Sequence, residues 1–243
     1  MTWPERAMKT RLIALFSLFW PSTVLAEEVV VAVASNFLST AETIVAEFEE
    51  ETGHDVILEF GATGLLFAQI NSGAPFDILL AADATRPAEL ATSGRASETG
   101  TYAVGSLVLL ATEPVSVDTV ADVIAGETVA LADPILAPYG AAAIATMERL
   151  SLDTATFQPL LLQNVSQVAA AFATGEASFA FAAASSMSEL APEYALELEQ
   201  IASPIRQDAA LLSPNKIGAA AFWDWLFSER GRASIAKAGY RLP

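Results

Sequence analysis

Four short stretches of small, neutral residues could together bind an anion. They are Ser35-Asn36, Gly61-Ala62-Thr63-Gly64, Pro138-Tyr139-Gly140 and Asn164-Val165-Ser166. Each is expected at the start of a helix, where the first backbone N–H groups have no partner within the helix and the peptide dipoles favour negative charge. For any one stretch, ordinary helix capping is the alternative, because Ser, Thr and Asn are preferred caps.

The side chains of these stretches indicate which kind of anion would bind. None of the four stretches contains Lys, Arg, Asp or Glu. Neutral donors match a fully deprotonated tetrahedral dianion such as sulfate, molybdate or tungstate. A protonated phosphate would need an acceptor for its hydrogen, and leaving that hydrogen unpaired costs about 1–3 kcal/mol. The stretches therefore favour such a dianion over phosphate.

Strand and helix patterns alternate along the chain around these stretches. Strands are predicted at 29–34, 55–60, 77–81, 102–111, 128–132, 178–183, 196–201 and 207–212. Helices are predicted at 39–52, 64–72, 85–92, 118–124, 140–151, 154–162, 166–174, 217–227 and 229–238. This alternation predicts an α/β protein with mainly parallel sheets flanked by helices, whose loops meet at the carboxyl ends of the strands.

Two segments are expected to cross between two lobes. One is the long run YAVGSLVLLATEP, with Gly105 in its middle, and the other is PIRQDAALLSP, which contains Asp208. If the chain leaves the first lobe near Gly105 and returns near Asp208, residues 27–105 and 209–243 form lobe one. Residues 106–208 then form lobe two.

The first 26 residues are predicted to be a cleaved secretory signal peptide. Basic residues precede the apolar run LIALFSLFW, and Val24-Leu25-Ala26 has the small-x-small cleavage pattern. Met8 is an alternative start, because MKTRLIALF alone supplies a basic leader. The apolar run is short for an uncleaved membrane anchor, and a chain without cysteine cannot be lipidated on that residue. We therefore expect an exported periplasmic protein with no membrane insertion.

The charge of the chain excludes one class of partner. Removing the leader, with its one acid and three bases, from a total of 29 acids and 12 bases leaves 28 acids and 9 bases, a net charge of −19. Nucleic-acid binding requires a basic surface. The sequence therefore predicts no nucleic-acid partner.

Catalytic and metal-binding signals are weak. The single histidine, His54, lies next to Gly53, where a helix is expected to end, and is interpreted as an exposed turn residue. No G-x-S-x-G or phosphate-binding motif occurs, and the carboxylates form charged runs such as Glu49-Glu50-Glu51. We therefore expect no enzyme activity, no cofactor and no protein-bound metal ion other than the molybdenum of a bound oxyanion.

Several segments resemble the periplasmic molybdate-binding proteins of ABC importers. They include VAVASNF, FGATGLLFAQINSGAPFDILLAAD, LADPILAPYGAAA, QNVSQVAAAFATGEASFAF and AFWDWLFSERGRASIAKAGY, which together span nearly the whole mature chain. The resemblance implies a type II periplasmic-binding-protein fold with two lobes and the oxyanion in the cleft between them. It also implies molybdate, and tungstate, as ligands of a monomeric receptor that serves a membrane permease and ATPase.

The resemblance also implies the binding residues. Ser35 and Asn36 match the first-strand ligand pair, Thr63 matches a hydroxyl donor, and Tyr139 and Val165 match backbone N–H donors. Many relatives add a tyrosine hydroxyl from the strand near residue 180, where this chain has Ala183.

Three alternatives stay open at this point. A receptor for sulfate, or for an organic anion that uses the space left at Ala183, would have the same fold. A large or hydrophobic ligand would require a wide cleft lined by Phe181 and its neighbours. A secreted enzyme of similar fold, or a signalling or scaffold module that binds no solute, represents a different class of function.

Overall fold

The computed structural model describes residues 26–243, which form two five-stranded sheets covered by helices. The strands are Glu28–Ala34 (β1), Asp55–Gly61 (β2), Ile78–Leu80 (β3), Glu98–Gly105 (β4), Leu107–Ala111 (β5), Thr128–Ala132 (β6), Gln158–Leu162 (β7), Phe179–Ala183 (β8), Tyr194–Glu197 (β9) and Ile205–Leu211 (β10). The helices are Leu38–Thr52 (α1), Thr63–Asn71 (α2), Thr85–Thr92 (α3), Val120–Val123 (α4), Pro138–Arg149 (α5), Val165–Ala173 (α6), Met187–Leu190 (α7), Ile217–Phe227 (α8) and Glu229–Lys237 (α9). Short 3-10 turns lie at Ser35–Phe37 and Ala184–Ser186. Within residues 26–243, no helix has both the length and the apolar character needed to cross a bilayer.

The first sheet has the strand order β2-β1-β3-β10-β4. Strand β1 pairs in parallel with β2 and β3, whereas β10 is antiparallel to β3 and β4. One face of this sheet packs on α1 and α8, with Val31, Phe37, Phe48 and Phe222 fully buried in a shared core. The removal of this apolar surface from water is the main force that holds the lobe together.

The second sheet has the strand order β7-β6-β8-β5-β9. Strand β6 is parallel to β7 and β8, and β5 is antiparallel to β8 and β9. Leu109, Phe179 and Phe181 pack on one face with α5, while Val168 of α6 joins a core cluster that includes Ala130 and Ala180. The two sheets place the carboxyl ends of β1 and β6 where helices begin.

The predicted two-lobed α/β fold is confirmed, but its sheets are mixed rather than mainly parallel. Each sheet contains two parallel and two antiparallel pairings. The antiparallel pairings involve β4, β5 and β10, the strands beside the crossings between the sheets. The first crossing passes through Ser106, between β4 and β5, and β10 lies wholly in the first sheet.

Three predicted elements were wrong in type or extent, and one of them is the strand expected at 196–201, which lies at Tyr194–Glu197. The helix expected at 154–162 is instead a turn followed by strand β7, and the strand expected at 102–111 is two strands divided at Ser106. Strand β7 lies at the edge of its sheet, where Pro159 is tolerated because an outward-facing position needs no N–H donor. A short apolar run such as PLLL cannot be assigned to helix or strand by periodicity alone.

Candidate anion-binding site

All five residues that the sequence singled out line one small pocket between the lobes. Ser35, Asn36, Thr63, Tyr139 and Val165 share its wall with Ala34, Gly61, Ala62, Ala82, Ala137 and Pro138. The pocket has an empty volume of about 180 Å³, against about 1120 Å³ for the open groove beside Arg86. Among the described residues that form its wall, none carries a formal charge. The pocket is thus small and neutral.

The pocket lies where four helical segments begin. Ser35 opens the 3-10 turn that leads into α1, Thr63 opens α2, and Val165 opens α6. Tyr139 is the second residue of α5, after Pro138, which has no N–H group. Tyr139 therefore supplies the first backbone donor of its helix. Converging N–H groups at helix starts form a site for negative charge.

Ordinary helix capping accounts for only one of the four starts. The residues that precede the other three helical segments are Ala34, Ala62 and Ala137, and none makes a side-chain capping bond. At α6, the Asn164 side-chain oxygen accepts a hydrogen bond of 3.0 Å from the backbone N–H of Gln167. Ser35 and Thr63 therefore lie inside their helical segments and do not act as caps.

The hydroxyl of Thr63 is oriented by a backbone contact. Thr63 is 1% exposed, and its Oγ1 accepts a hydrogen bond of 3.1 Å from the backbone N–H of Ala82. A hydroxyl has one hydrogen to donate and two lone pairs. Because Ala82 occupies only a lone pair, the hydrogen of the Thr63 hydroxyl remains available for donation.

The side chain of Asn36 faces away from the pocket. Its Nδ2 donates to Oε1 of Gln207 at 3.0 Å and to the hydroxyl of Tyr240 at 3.1 Å. Both amide hydrogens are thus engaged within the protein. Asn36 can contribute to the pocket only through its backbone N–H, which the residue type alone did not reveal.

Direct contacts hold the two lobes together around the pocket. Ser166 Oγ donates to the carbonyl of Ser35 at 2.9 Å, and the N–H of Gly64 donates to the carbonyl of Leu136 at 2.8 Å. Arg86 also reaches across, with its Nη2 donating to the carbonyl of Ile135 at 2.9 Å. The pocket is therefore enclosed by residues of both lobes.

Ala183 and Phe181 do not widen the pocket. Both side chains are buried in the core of the second lobe, at 0% and 1% exposure, and neither lies in the pocket wall. The residue at the end of β8 is thus packed among core side chains. This packing gives no support to an organic anion occupying a space beside Ala183 or to a wide cleft lined by Phe181.

Among the described residues of the pocket wall, Tyr139 alone has a titratable side chain. Burial raises its pKa well above the ordinary value of 10.0, and the neighbouring Tyr240 raises it further, while a hydrogen bond from Gln207 acts in the opposite direction. The phenol is therefore neutral at physiological pH. No ionisation in the wall opposes an incoming anion under those conditions.

His54 is buried, contrary to the prediction of an exposed turn histidine. It is 3% exposed, its ring stacks on Phe48, and its Nδ1 accepts a hydrogen bond of 3.1 Å from the backbone N–H of Glu27. The histidine thus joins the residue that precedes β1 to the core of the first lobe. Within the described residues, no group of three or more His, Cys, Asp or Glu residues could hold a metal ion.

Several small residues of the pocket wall were not predicted from the sequence. Ala34, Ala82 and Ala137 end or follow strands and let the backbone approach the pocket closely. Gly140 has a related role, because an added Cβ would overlap the carbonyl group of Ala132 at the end of β6. The signal available in the sequence was the position of these small residues directly after apolar runs.

The chain is similar over nearly its whole length to known proteins. Residues 29–241 match the family model described as bacterial extracellular solute-binding protein. The chain is 40% identical to a molybdate-binding protein of Rhodobacter capsulatus over 250 residues, which cover 97% of this chain and 96% of the relative. It is 38% identical to a molybdate-binding protein of Azotobacter vinelandii, with coverages of 89% and 91%.

A solved structure gives the same result for the fold. The periplasmic molybdate-binding protein of Azotobacter vinelandii superposes with a TM-score of 0.81 at 32% identity, covering 88% of this chain and 99% of that one. Both the family model and the relatives span nearly the whole described chain. The chain therefore belongs to the family of bacterial extracellular solute-binding proteins.

Proposed function

We propose that this protein captures molybdate, and also tungstate, in the periplasm and delivers it to the permease and ATPase of an ABC importer. The observation that carries the proposal is the small uncharged pocket, in which four helix starts converge. Relatives at 38–40% identity are molybdate-binding proteins, which supports molybdate over other dianions. The protein acts as a receptor and not as an enzyme.

The donors of the pocket can supply the required free energy without a cation. A hydrogen bond to a charged group contributes roughly 1.5–3 kcal/mol. Five such bonds, one from each proposed donor, contribute roughly 7.5–15 kcal/mol in total, and about −8 kcal/mol corresponds to micromolar affinity. Neutral donors also disfavour a protonated anion, because the wall offers no carboxylate to accept its hydrogen.

The roles of the individual residues are part of the proposal. Ser35 and Thr63 donate through their hydroxyls, and Asn36, Tyr139 and Val165 donate through their backbone N–H groups. Molybdenum is held only as the oxyanion, with no direct protein ligand and no other cofactor. The five donors come from both lobes, so the oxyanion is fully coordinated only when the lobes are closed.

The remaining features of the receptor are proposed from the sequence. Residues 1–26 act as the cleaved signal peptide, of which residues 1–25 lie outside the described residues. The mature protein works as a monomer without membrane insertion. Its lobes follow the expected ranges, 27–105 plus 209–243 and 106–208, except that strand β10, Ile205–Leu211, belongs as a whole to the first sheet. Closure is a hinge motion at the two crossings near Gly105 and Asp208.

Titration calorimetry on the mature protein tests the proposal. We expect molybdate and tungstate to bind with micromolar or tighter affinity, and sulfate and phosphate to bind much more weakly. Sulfate is the second candidate, because it is also a fully deprotonated tetrahedral dianion and differs from molybdate in size alone. Strong heat from sulfate with none from molybdate would identify sulfate as the ligand in place of molybdate. No heat from any of the four anions would overturn the receptor function.

A further inference from the structure

A buried polar network lies at the crossing between the lobes, directly behind the pocket. Its centre is Gln207 on β10, which has no exposed surface. The pairing of β10 with β4 shifts register between Gln207 and Asp208, so that Ala103 and Thr101 are their partners and Tyr102 is passed over. Such an irregularity redirects side chains beside functional sites.

The oxygen of the Gln207 side chain faces the first lobe. Its Oε1 accepts a hydrogen bond of 3.0 Å from Nδ2 of Asn36 and lies 3.1 Å from the hydroxyl of Tyr102. The Tyr102 hydroxyl is also 3.0 Å from the carbonyl oxygen of Ala81. These partners determine which end of the amide is the oxygen, because Nδ2 of Asn36 can only donate.

The nitrogen of the same side chain faces the second lobe. Its Nε2 lies 3.4 Å from the hydroxyl of Tyr139, which it reaches over Gly105. An added Cβ at Gly105 would overlap the Tyr139 hydroxyl and would lie 2.6 Å from the Gln207 nitrogen. The absence of a side chain at Gly105 is therefore what allows the two groups to meet.

Gln207 thus contacts one pocket residue of each lobe without lining the pocket itself. Asn36 and Tyr139 are both pocket residues, and each is held through its side chain while its backbone N–H lies at a helix start. The network is buried, and a buried polar group that loses its partner is costly. The relative position of the two backbone donors therefore depends on this amide.

We propose that Gln207 is a positioning residue that holds the backbone donors of Asn36 and Tyr139 in register across the hinge. This inference depends on the proposed function, since it concerns how tightly the oxyanion is bound. The amide acts through its two neighbours and does not touch the ligand. Removing it leaves all five proposed donors in the chain but no longer fixes their geometry.

The test compares three variants by molybdate titration and by thermal unfolding without ligand. Gln207→Met keeps a similar volume and removes both hydrogen-bonding ends, and we expect its Kd to rise about tenfold. Tyr139→Phe keeps the backbone N–H and removes only the long contact with Gln207, so its Kd should rise about threefold.

Thr146→Val is the control, because Thr146 is fully buried in α5 and its hydroxyl bonds only to the carbonyl of Ala142. It should unfold at a lower temperature and bind with unchanged Kd.

The double variant tests whether Gln207 and Tyr139 act together. Combining Gln207→Met with Tyr139→Phe should weaken binding no more than Gln207→Met alone, because both remove the same contact. An unchanged Kd in Gln207→Met overturns the inference, and so does an equal loss of affinity in Thr146→Val. If Gln207→Met does not fold, an unchanged Kd in Tyr139→Phe overturns it instead. If the wild-type protein binds neither molybdate nor tungstate, the proposed function and this inference both fail. If the wild-type protein binds molybdate and Gln207→Met binds it equally well, only this inference fails.

Discussion

At the scale of single residues, the pocket depends on hydroxyl and amide groups whose orientations are set by neighbours. The Thr63 hydroxyl accepts from the N–H of Ala82, and the Asn36 amide is turned toward Gln207 and Tyr240. The first arrangement leaves a hydrogen for the ligand, and the second leaves only a backbone N–H. Residue type therefore indicates a donor, while its neighbours decide which hydrogen is available.

Substitution of Thr63 tests this orientation. Thr63→Ala removes one hydrogen bond to the charged ligand, so the Kd for molybdate should rise roughly tenfold or more. Thr63→Ser keeps the hydroxyl and should bind nearly as the wild type does. Thr92→Ala is a matched control, because the Thr92 hydroxyl is exposed and bonds only to the carbonyl of Ala88 within α3. Calorimetric affinity that is equal in Thr63→Ala and in the wild type would remove Thr63 from the site.

At the scale of elements, the helix starts matter more than the helices themselves. Three starts are preceded by alanine and have no side-chain cap, whereas α6 is capped by Asn164. Uncapped starts have no side chain that accepts from their first N–H groups, although the N–H of Gly64 in α2 donates to the carbonyl of Leu136, and the helix dipoles point toward the same pocket. At α6, the cap satisfies Gln167 and leaves the earlier N–H of Val165 for the pocket.

Two substitutions at Asn164 separate helix capping from ligand binding. Asn164→Asp keeps an oxygen for the Gln167 N–H and should change the free energy of unfolding little, because Asn and Asp cap about equally well. It also places a negative charge beside the pocket, so the Kd for molybdate should rise at least tenfold. Asn164→Ala removes the cap and should cost about 1 kcal/mol of stability in urea unfolding. Wild-type affinity in Asn164→Asp would show that α6 does not begin at the ligand.

At the scale of the whole molecule, an acidic protein surrounds a neutral, enclosed pocket. The full chain carries a formal charge of −17, yet the described pocket wall contains no charged residue. Hydrogen bonds from Ser166 and Gly64 join the lobes beside the pocket. Enclosure lowers the local dielectric and strengthens each donor's interaction with a dianion.

The pH dependence of binding and stability follows from the buried tyrosines. Burial raises the pKa of Tyr139 and of Tyr102 well above 10.0, with Tyr240 adding to both shifts. A pKa raised in the folded state contributes stability that is fully present below the unfolded value and is lost as the pH rises toward the folded pKa. We therefore expect constant molybdate affinity from about pH 6 to about pH 9, and a falling free energy of unfolding above about pH 10.

Calorimetry across the neutral range and urea unfolding across the alkaline range measure these two effects. Tyr102→Phe serves as the comparison, because it removes one of the two buried tyrosines whose pKa is raised and should lessen the alkaline loss of stability. An affinity that changes severalfold between about pH 6 and about pH 9 would require a titrating group in the pocket. Such a result would contradict the conclusion that no group in the pocket wall ionises in this pH range.

The amino-acid sequence by itself determined the α/β class, the four donor stretches and the neutral character of the site. These features depend on local periodicity and on residue types at strand ends, which a sequence displays directly. The same local signals were insufficient for β7, because a short apolar run at a sheet edge is compatible with helix or strand. Local signals also could not predict that His54 is buried, because its burial depends on contacts with Phe48 and Glu27.

Tertiary structure alone decided how the donor stretches meet. Ser35 and Ser166 are 131 positions apart in sequence, yet their hydrogen bond joins the two lobes beside the pocket. The direction of the Asn36 amide and the contact of Gln207 with Tyr139 likewise depend on β4 and β10, which lie side by side in the first sheet next to the two crossings. Contacts between distant segments are set by packing and enclosure, which local sequence patterns do not contain.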